Sequence, residues 1–318
     1  MQGTAMAANK RLTFVTLDVF THTKFSGNPL AIVRVPVSTS LTHEQKQVIA
    51  REFNLSETVF LHPALEGLRL PEWKIDIFTV PQEIPFAGHP TIGTACYVLS
   101  TYTSQSTGPV CGTFITKAGP ISLEYCDGLA RASIPHSIHI HRHGLSSAEL
   151  LGSQPTLNKV VDAKSMRDQS PVVSIVKGMT FALVELGSVE ALAHVTTTCT
   201  ITQPRLDLEW DESFVALYFY VCLPSSEEGL FNLRTRMIAG SLEDPATGSA
   251  ASALTAYLSL QAGTRSNTYR YAVTQGVEMG RRSDIGVDVT LSEDGTRVAD
   301  VTLSGRAVQV MEGTLDYQ

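Results

Sequence analysis

Apolar and polar positions along the chain change period several times. Residues 12–20, LTFVTLDVF, are rich in β-branched and aromatic side chains and read as a strand. Ser26-Gly27-Asn28-Pro29 follows as a turn, and LAIVRV resumes the extended pattern. From residue 43 the spacing turns helical: Val48, Ile49 and Phe53 fall on one face. Both ends of that helix are marked. Thr42 with Gln45 three residues later makes a capping box, and Asn54 suits the left-handed position that ends a helix. A helix over 43–53 is expected, with a strand starting at Glu57-Thr58-Val59-Phe60-Leu61.

Further strands are expected at 73–79, 112–117, 120–126 and 129–134. Residues 135–145, PHSIHIHRHGL, interrupt the pattern with Pro, Gly and histidines, and Ser146 with Glu149 opens a helix through a second capping box. Beyond it, strands are expected near 172–176, 181–186 and 214–222, then a helix at about 249–260. Strand-rich segments at 269–275, 285–292 and 298–311 close the chain. Residues 1–10 read as a loose tail. Both halves combine many strands with few helices, which predicts α+β rather than alternating βαβ units. At roughly 100–200 residues per domain, 318 residues suggest two. The expected domains are 1–140 and 141–318, with the last strands free to cross back to the first.

Two stretches do not fit a surface helix or a strand. PFAGHPTIGTACYVL, 85–99, has a Gly-His-Pro-Thr turn and then a run of small residues. LEDPATGSAASALTAYLSL, 242–260, repeats the plan: a Gly-bearing turn, small residues, an aromatic, leucines. Small side chains let strands wrap closely around a helix. A glycine turn at a helix start leaves backbone N–H groups free for an anion. The pair reads either as two central helices whose starts face one another across a cleft, or as two unrelated buried helices. His89 and Asp244 flank the turns. Glu57 enters an apolar strand, where burial favours a raised pKa suited to proton transfer. A capping role for Glu57 is disfavoured, because Pro63 leaves little room for a helix.

Composition narrows the classes. Hydrophobic residues at 43% and charged residues at 17% support a real core. A net charge of −7 with no basic stripe argues against nucleic acid as a partner. Cys96, Cys111, Cys126, Cys199 and Cys222 are odd in number and lack C-x-x-C spacing, so neither a zinc ribbon nor a disulfide framework is indicated. The first residues lack the apolar core of a signal peptide. The densest apolar run, FVALYFYVCL at 214–223, is too short to span a bilayer. A soluble, cytoplasmic protein with no membrane partner is expected.

Five segments in order resemble the phenazine-biosynthesis isomerase (PhzF-like) family of the diaminopimelate-epimerase-like fold. They are DVFTHTKFSGNPLAIV at 18–33, AREFNLSETVFL at 50–61, FTVPQEIPFAGHPTIGTA at 78–95, EDPATGSAASAL at 243–254 and QGVEMGRRSDIGVDV at 275–289. The resemblance implies two similar domains, each a curved, mostly antiparallel sheet rolled around a central helix, with the active site between them. It implies Glu57, His89 and Asp244 as catalytic residues. Ser56, Gly88, Thr247, Gly248 and Ser249 are implied as substrate-binding, and Gln275 and Arg281 as site support. The true epimerases of this fold use two opposed cysteines, and the corresponding positions here are Ala87 and Pro245. A single carboxylate remains, moving a proton within a small carboxylated or cyclic metabolite without cofactor or metal. A homodimer is implied as well. Two other outcomes share the same residues: proton transfer that triggers cyclisation, elimination or epimerisation, and a binding protein without turnover.

HSIHIHRH raises a separate question. His139, His141 and His143 alternate, so on a strand they would share one face, a spacing that can hold a metal. Lying beside the domain boundary and away from both glycine turns, the segment is expected to be a solvated connection without metal.

Overall fold

A computed structural model describes residues 10–65, 67–105, 108–160, 167–199, 202–210, 213–263 and 267–317. The expected tail lies outside these residues except for Lys10, which begins the first strand. The first half runs β1 (Lys10–Val19), β2 (Asn28–Arg34), α1 (His43–Phe53), β3 (Thr58–Leu65), β4 (Glu72–Phe78), β5 (Glu83–Ile84), α2 (Gly88–Leu99), β6 (Val110–Thr116), β7 (Gly119–Cys126) and β8 (Leu129–Ser133). A connection follows with β9 (His139–Ile140), β10 (Leu145–Ser146), α3 (Ser147–Ser153) and β11 (Gln169–Ser170). The second half runs β12 (Val172–Val176), β13 (Met179–Glu185), α4 (Val189–Ala193), β14 (Phe214–Leu223), β15 (Leu230–Ala239), β16 (Leu242–Asp244), α5 (Gly248–Ala262), β17 (Thr268–Gln275), β18 (Ser283–Leu291) and β19 (Val298–Gly305). β20 (Ala307–Tyr317) ends the chain.

The two halves repeat one pairing plan. In the first, β1–β2 is antiparallel, β2–β3 parallel, β3–β4 antiparallel, β4–β6 parallel, and β6–β7 and β7–β8 antiparallel. In the second, β12–β13, β13–β14, β14–β15, β15–β17, β17–β18 and β18–β19 follow the same order of senses. The helices fall at matching places, α1 and α4 after the second strand, α2 and α5 before the last three strands. The halves join through β8 and β19, which pair with each other. Each then lends a strand to the other: β9 adds to β12, and β20 adds to β1 along ten residues of β1. The segment expected at 298–311 therefore breaks at Arg306, whose carbonyl accepts the Phe20 N–H at 2.7 Å.

α2 and α5 are the cores of the two halves. Of the residues of α2, all but Tyr97 are buried, as are Gly248 and Ala250 to Tyr257 of α5. A helix enclosed on all sides has no apolar stripe, and its small residues set how near the strands come. At Gly93, a Cβ would meet Val19 Cγ2 at 2.6 Å and Leu30 Cδ2 at 2.7 Å. Several of the hydroxyls that accompany the small residues are satisfied within the helices, although the buried Thr94 Oγ1 finds no partner among the described residues. Thr91 donates to the Ala87 carbonyl at 2.7 Å, Ser252 to Gly248 and Thr255 to Ala251, both at 2.8 Å. One apolar cluster runs through both halves, from Val15 and Leu30 to Leu254 and Leu303.

α1 lies outside this core. Its capping box is formed as expected, and Asn54 ends it at φ 51°. Ile49 and Ala50 cover Leu12, Val33, Phe60 and Phe78 on the outer face of the sheet. Lys46 Nζ and His62 Nε2 both reach Asp76, at 2.5 and 2.7 Å. Burial alone would push the Asp76 carboxyl up, but these two partners hold it well below the usual range.

Candidate active site

The starts of α2 and α5 touch. A Cβ on Gly88 would stand 3.4 Å from Gly248 Cα, and on either glycine it would meet Leu303 Cδ2 at 2.8 Å. Glycine at both positions is what lets the two turns approach. Neither helix has a side-chain cap, Ala87 and Thr247 being the residues before them. The backbone donors and the positive ends of two helix dipoles therefore converge at one place.

The predicted carboxylates and imidazole are there. Glu57 precedes β3, and its Oε2 lies 3.1 Å from His89 Nδ1 in the first turn of α2. Asp244 ends β16, and its electrostatic field reaches both Glu57 and His89. Thr247 Oγ1 donates to Asp244 Oδ2 at 2.6 Å. Gln275 Nε2 donates to the Asp244 carbonyl at 2.8 Å and to Thr247 Oγ1 at 3.0 Å, while its Oε1 accepts from Tyr218 OH at 3.0 Å. Ser249 follows Gly248 in the first turn of α5, half-buried. Arg281 works further out: it donates to Asp18 Oδ1 at 2.6 Å and to the carbonyls of Gly27 and Ser26.

Asn28 completes the group, although nothing local in the sequence marks it as more than a turn residue. This residue is 1% exposed. Its Nδ2 donates to Asp244 Oδ1 at 2.8 Å and to the Ala246 carbonyl at 3.0 Å, and its Oδ1 accepts from Ser56 Oγ at 3.3 Å. Asn28 thus ties the segment carrying Glu57 to the turn carrying Asp244. Its place in a Ser-Gly-Asn-Pro turn suggested only turn chemistry. The run of motif segments through it was the one signal available.

The expected charge state of Glu57 needs correction. Burial does push its carboxyl up, as the apolar neighbours suggested. The charge of His89 and hydrogen bonds from His89 and Ser56 outweigh it, and Glu57 ends below its ordinary value. His89 is raised for the reciprocal reason: burial lowers it, but the attraction of Glu57, then of Asp244, prevails. Asp244 is pushed up to about 6 by burial and by the Glu57 charge, against the donors Thr247 and Ala246 and the His89 charge. The pair thus favours a carboxylate on Glu57 and a proton on His89, beside a second carboxyl that titrates near 6. His89 Nε2 is buried and has no hydrogen-bond partner among the described residues. Cys96, the nearest thiol, donates to the Gly305 carbonyl at 3.6 Å, and burial pushes it up to about 12. It is an inert core thiol.

The histidine segment also departs from expectation. It is packed rather than solvated. His141 is buried and His139 stacks on Trp210 with centroids 4.5 Å apart. His139 Nε2 lies 2.9 Å from Asp207 Oδ2, and of the segment's histidines only His143 is exposed.

No helix among the described residues is long and apolar enough to cross a membrane. The family described as phenazine biosynthesis-like protein, PhzC-PhzF, matches residues 17–313. The chain is 31% identical over 312 residues to the trans-2,3-dihydro-3-hydroxyanthranilate isomerase of Pseudomonas aeruginosa, covering 94% of this chain and 98% of that protein. Its fold is shared with a Bacillus anthracis phenazine biosynthesis protein of the PhzF family, at a TM-score of 0.72 and 19% identity, over 96% of this chain and 99% of that one. It is shared too with a probable proline racemase of Agrobacterium radiobacter, at a TM-score of 0.58 and 13% identity, over 95% and 92%. With the family match spanning nearly the whole chain and the motif segments meeting at one junction, the protein belongs to the phenazine biosynthesis-like PhzC-PhzF family and is an isomerase on the diaminopimelate-epimerase-like fold.

Proposed function

We propose that the protein moves a proton within a small carboxylated or cyclic metabolite, without a cofactor, using Glu57 as the single acid/base group. The cleft lies between domains 1–140 and 141–318. The observation that carries this reading is the Glu57–His89 pair, 3.1 Å apart, beside Asp244 and two uncapped helix starts. Glu57 begins as a carboxylate and removes a proton from a substrate carbon. Electron density moves onto a substrate oxygen or along a conjugated ring. The protonated Glu57 has lost its attraction to His89 and is more acidic for it, so it returns the proton to a second carbon on the same face. His89 keeps Glu57 in place and favours its charged form. Asp244 takes up charge changes because it titrates near 6. The helix starts at Gly88 and Gly248-Ser249, with Thr247 and Ser56, hold the substrate's anionic or hydroxyl groups. The protein acts in the cytoplasm as a homodimer, which light scattering would report as twice 34.4 kDa.

The test is turnover of cyclic carboxylated candidates in heavy water, followed by proton NMR, for wild type and Glu57→Gln. General acid–base catalysis contributes about 10²–10⁴-fold. As the sole shuttle, Glu57 should account for the upper part of that range, about 5 kcal/mol of barrier, while ligand affinity changes little. A variant that keeps more than about a tenth of wild-type turnover, a loss of only ~1.4 kcal/mol, would sink the assignment.

A further inference from the structure

Among the described residues, one group of three imidazole and carboxylate side chains brings its donor atoms together. The residues are His139, His141 and Asp207, and one donor atom from each lies within 4.8 Å of the others. Two of them come from β9 and its continuation, the third from a segment 66 residues beyond His141. His139 Nε2 and Asp207 Oδ2 stand 2.9 Å apart. Two donors about 2.0–2.1 Å from one cation, at angles from square to tetrahedral, sit roughly 2.8–3.4 Å apart. The pair is thus close to the spacing of neighbouring ligands.

Two of the atoms that would not touch a cation, Asp207 Oδ1 and His141 Nε2, are already tied down. Asp207 Oδ1 accepts from the Arg142 N–H at 3.4 Å. His141 Nε2 pairs with Ser174 Oγ at 2.9 Å, and the chain continues through Thr180 to Ser213, at 2.5 and 2.8 Å. Ser213 precedes β14 as Glu57 precedes β3, so this network sits at the second half's counterpart of the catalytic strand start. The Asp207 N–H donates to His141 Nδ1 at 3.1 Å, which assigns the proton to Nε2 and the lone pair to Nδ1. A ligating histidine held by a hydrogen bond from its other nitrogen has this tautomer. The ring of His139 is fixed by Trp210, stacked at an interplanar angle of 10°.

We propose that His139 Nε2, His141 Nδ1 and Asp207 Oδ2 bind a divalent first-row transition metal, zinc in the first place, which staples β9 to the 202–210 segment. Two imidazoles and a carboxylate suit zinc, nickel or copper and do not suit magnesium or calcium, which prefer all-oxygen sites. Three protein donors leave a fourth position for water. The cation takes the place of the direct His139–Asp207 contact and of the Asp207 N–H bond to His141. Its role is structural, since none of the proposed catalytic residues belongs to the group.

The experiment uses the full-length protein, stripped with chelator and dialysed, then titrated with zinc chloride and, separately, magnesium chloride. Zinc at about 100-fold over its dissociation constant should raise the melting temperature by several degrees, and magnesium should leave it unchanged. Nickel chloride should quench the fluorescence of Trp210, a loss that Trp210→Phe abolishes. His139→Gln and Asp207→Asn should each weaken the zinc response at least ~10-fold. His143→Ala, at an exposed position outside the group, should keep it. The proposal is overturned if zinc up to about 100 µM moves neither the melting temperature nor the fluorescence. It is overturned equally if His139→Gln and Asp207→Asn respond as the wild type does.

Discussion

Glu57, His89 and Asp244 act on one another more than on the solvent, and their charge states show it. Removing the Glu57 charge removes the largest influence that raises His89, so in Glu57→Gln the His89 titration should move down, followed by NMR of the ring protons; an unmoved titration would mean that the 3.1 Å pair is not an ion pair. Asp244 carries a stability consequence. Its folded value of about 6 lies above the 3.8 of an ordinary aspartate, so the folded state binds this proton more tightly than the unfolded chain does. The resulting stability is complete below about 3.8 and is lost as pH rises through about 6, a swing of ~3 kcal/mol. Asp244→Asn should therefore lose turnover yet match or exceed wild-type stability at pH about 8, with the difference closing in acid. Urea unfolding at both pH values checks this, and equal offsets at both would show that Asp244 does not titrate as assigned. The sequence displayed the apolar neighbours of Glu57 but not His89, 32 positions on, and so its pKa was expected on the wrong side. Asn28 was hidden for the same reason, its main partner lying 216 residues away.

Among the elements, legibility followed how local the determinants are. α1 carried its start and stop in Thr42, Gln45 and Asn54, and its observed bounds match the expected ones. Thr42→Ala removes that cap and should cost about 1 kcal/mol in denaturant unfolding, with turnover unchanged. α2 and α5 were readable from repeated small residues, because a helix wrapped by strands tolerates little else. Gly93→Ala tests that logic. Alanine favours helix by up to ~1 kcal/mol, yet its Cβ would sit 2.6–2.7 Å from Val19 and Leu30. Overpacking of this kind costs about 1–3 kcal/mol, so the net effect should be a loss of stability, and a gain would mean that the strands yield easily. β9 and β16 were not foreseen, because two or three residues carry no period, and they exist only because a partner strand is present. Asp207 likewise joined His139 and His141 only in three dimensions.

At the scale of the molecule, the halves are repeats that exchange strands. β1 has β20 along one side and β2 along the other, and β8 is covered by β19. Residues 1–140 produced alone should lack a cooperative thermal transition, since both of those edges lie bare, whereas the full chain should show one. A sharp transition in the fragment would mark the exchange as dispensable. The exchange also bears on how the protein is made. A ribosome releases the chain from its amino end at about 5–20 residues per second. The first half cannot close until residues 298–317 emerge, on the order of ten to forty seconds after β8 is complete. During that interval the apolar strands around α2 stand open along β1 and β8. The nascent chain stays loosely collapsed or chaperone-bound meanwhile, and the Glu57–His89–Asp244 group settles into its final geometry only after residues far downstream of β8 have followed it out of the ribosome.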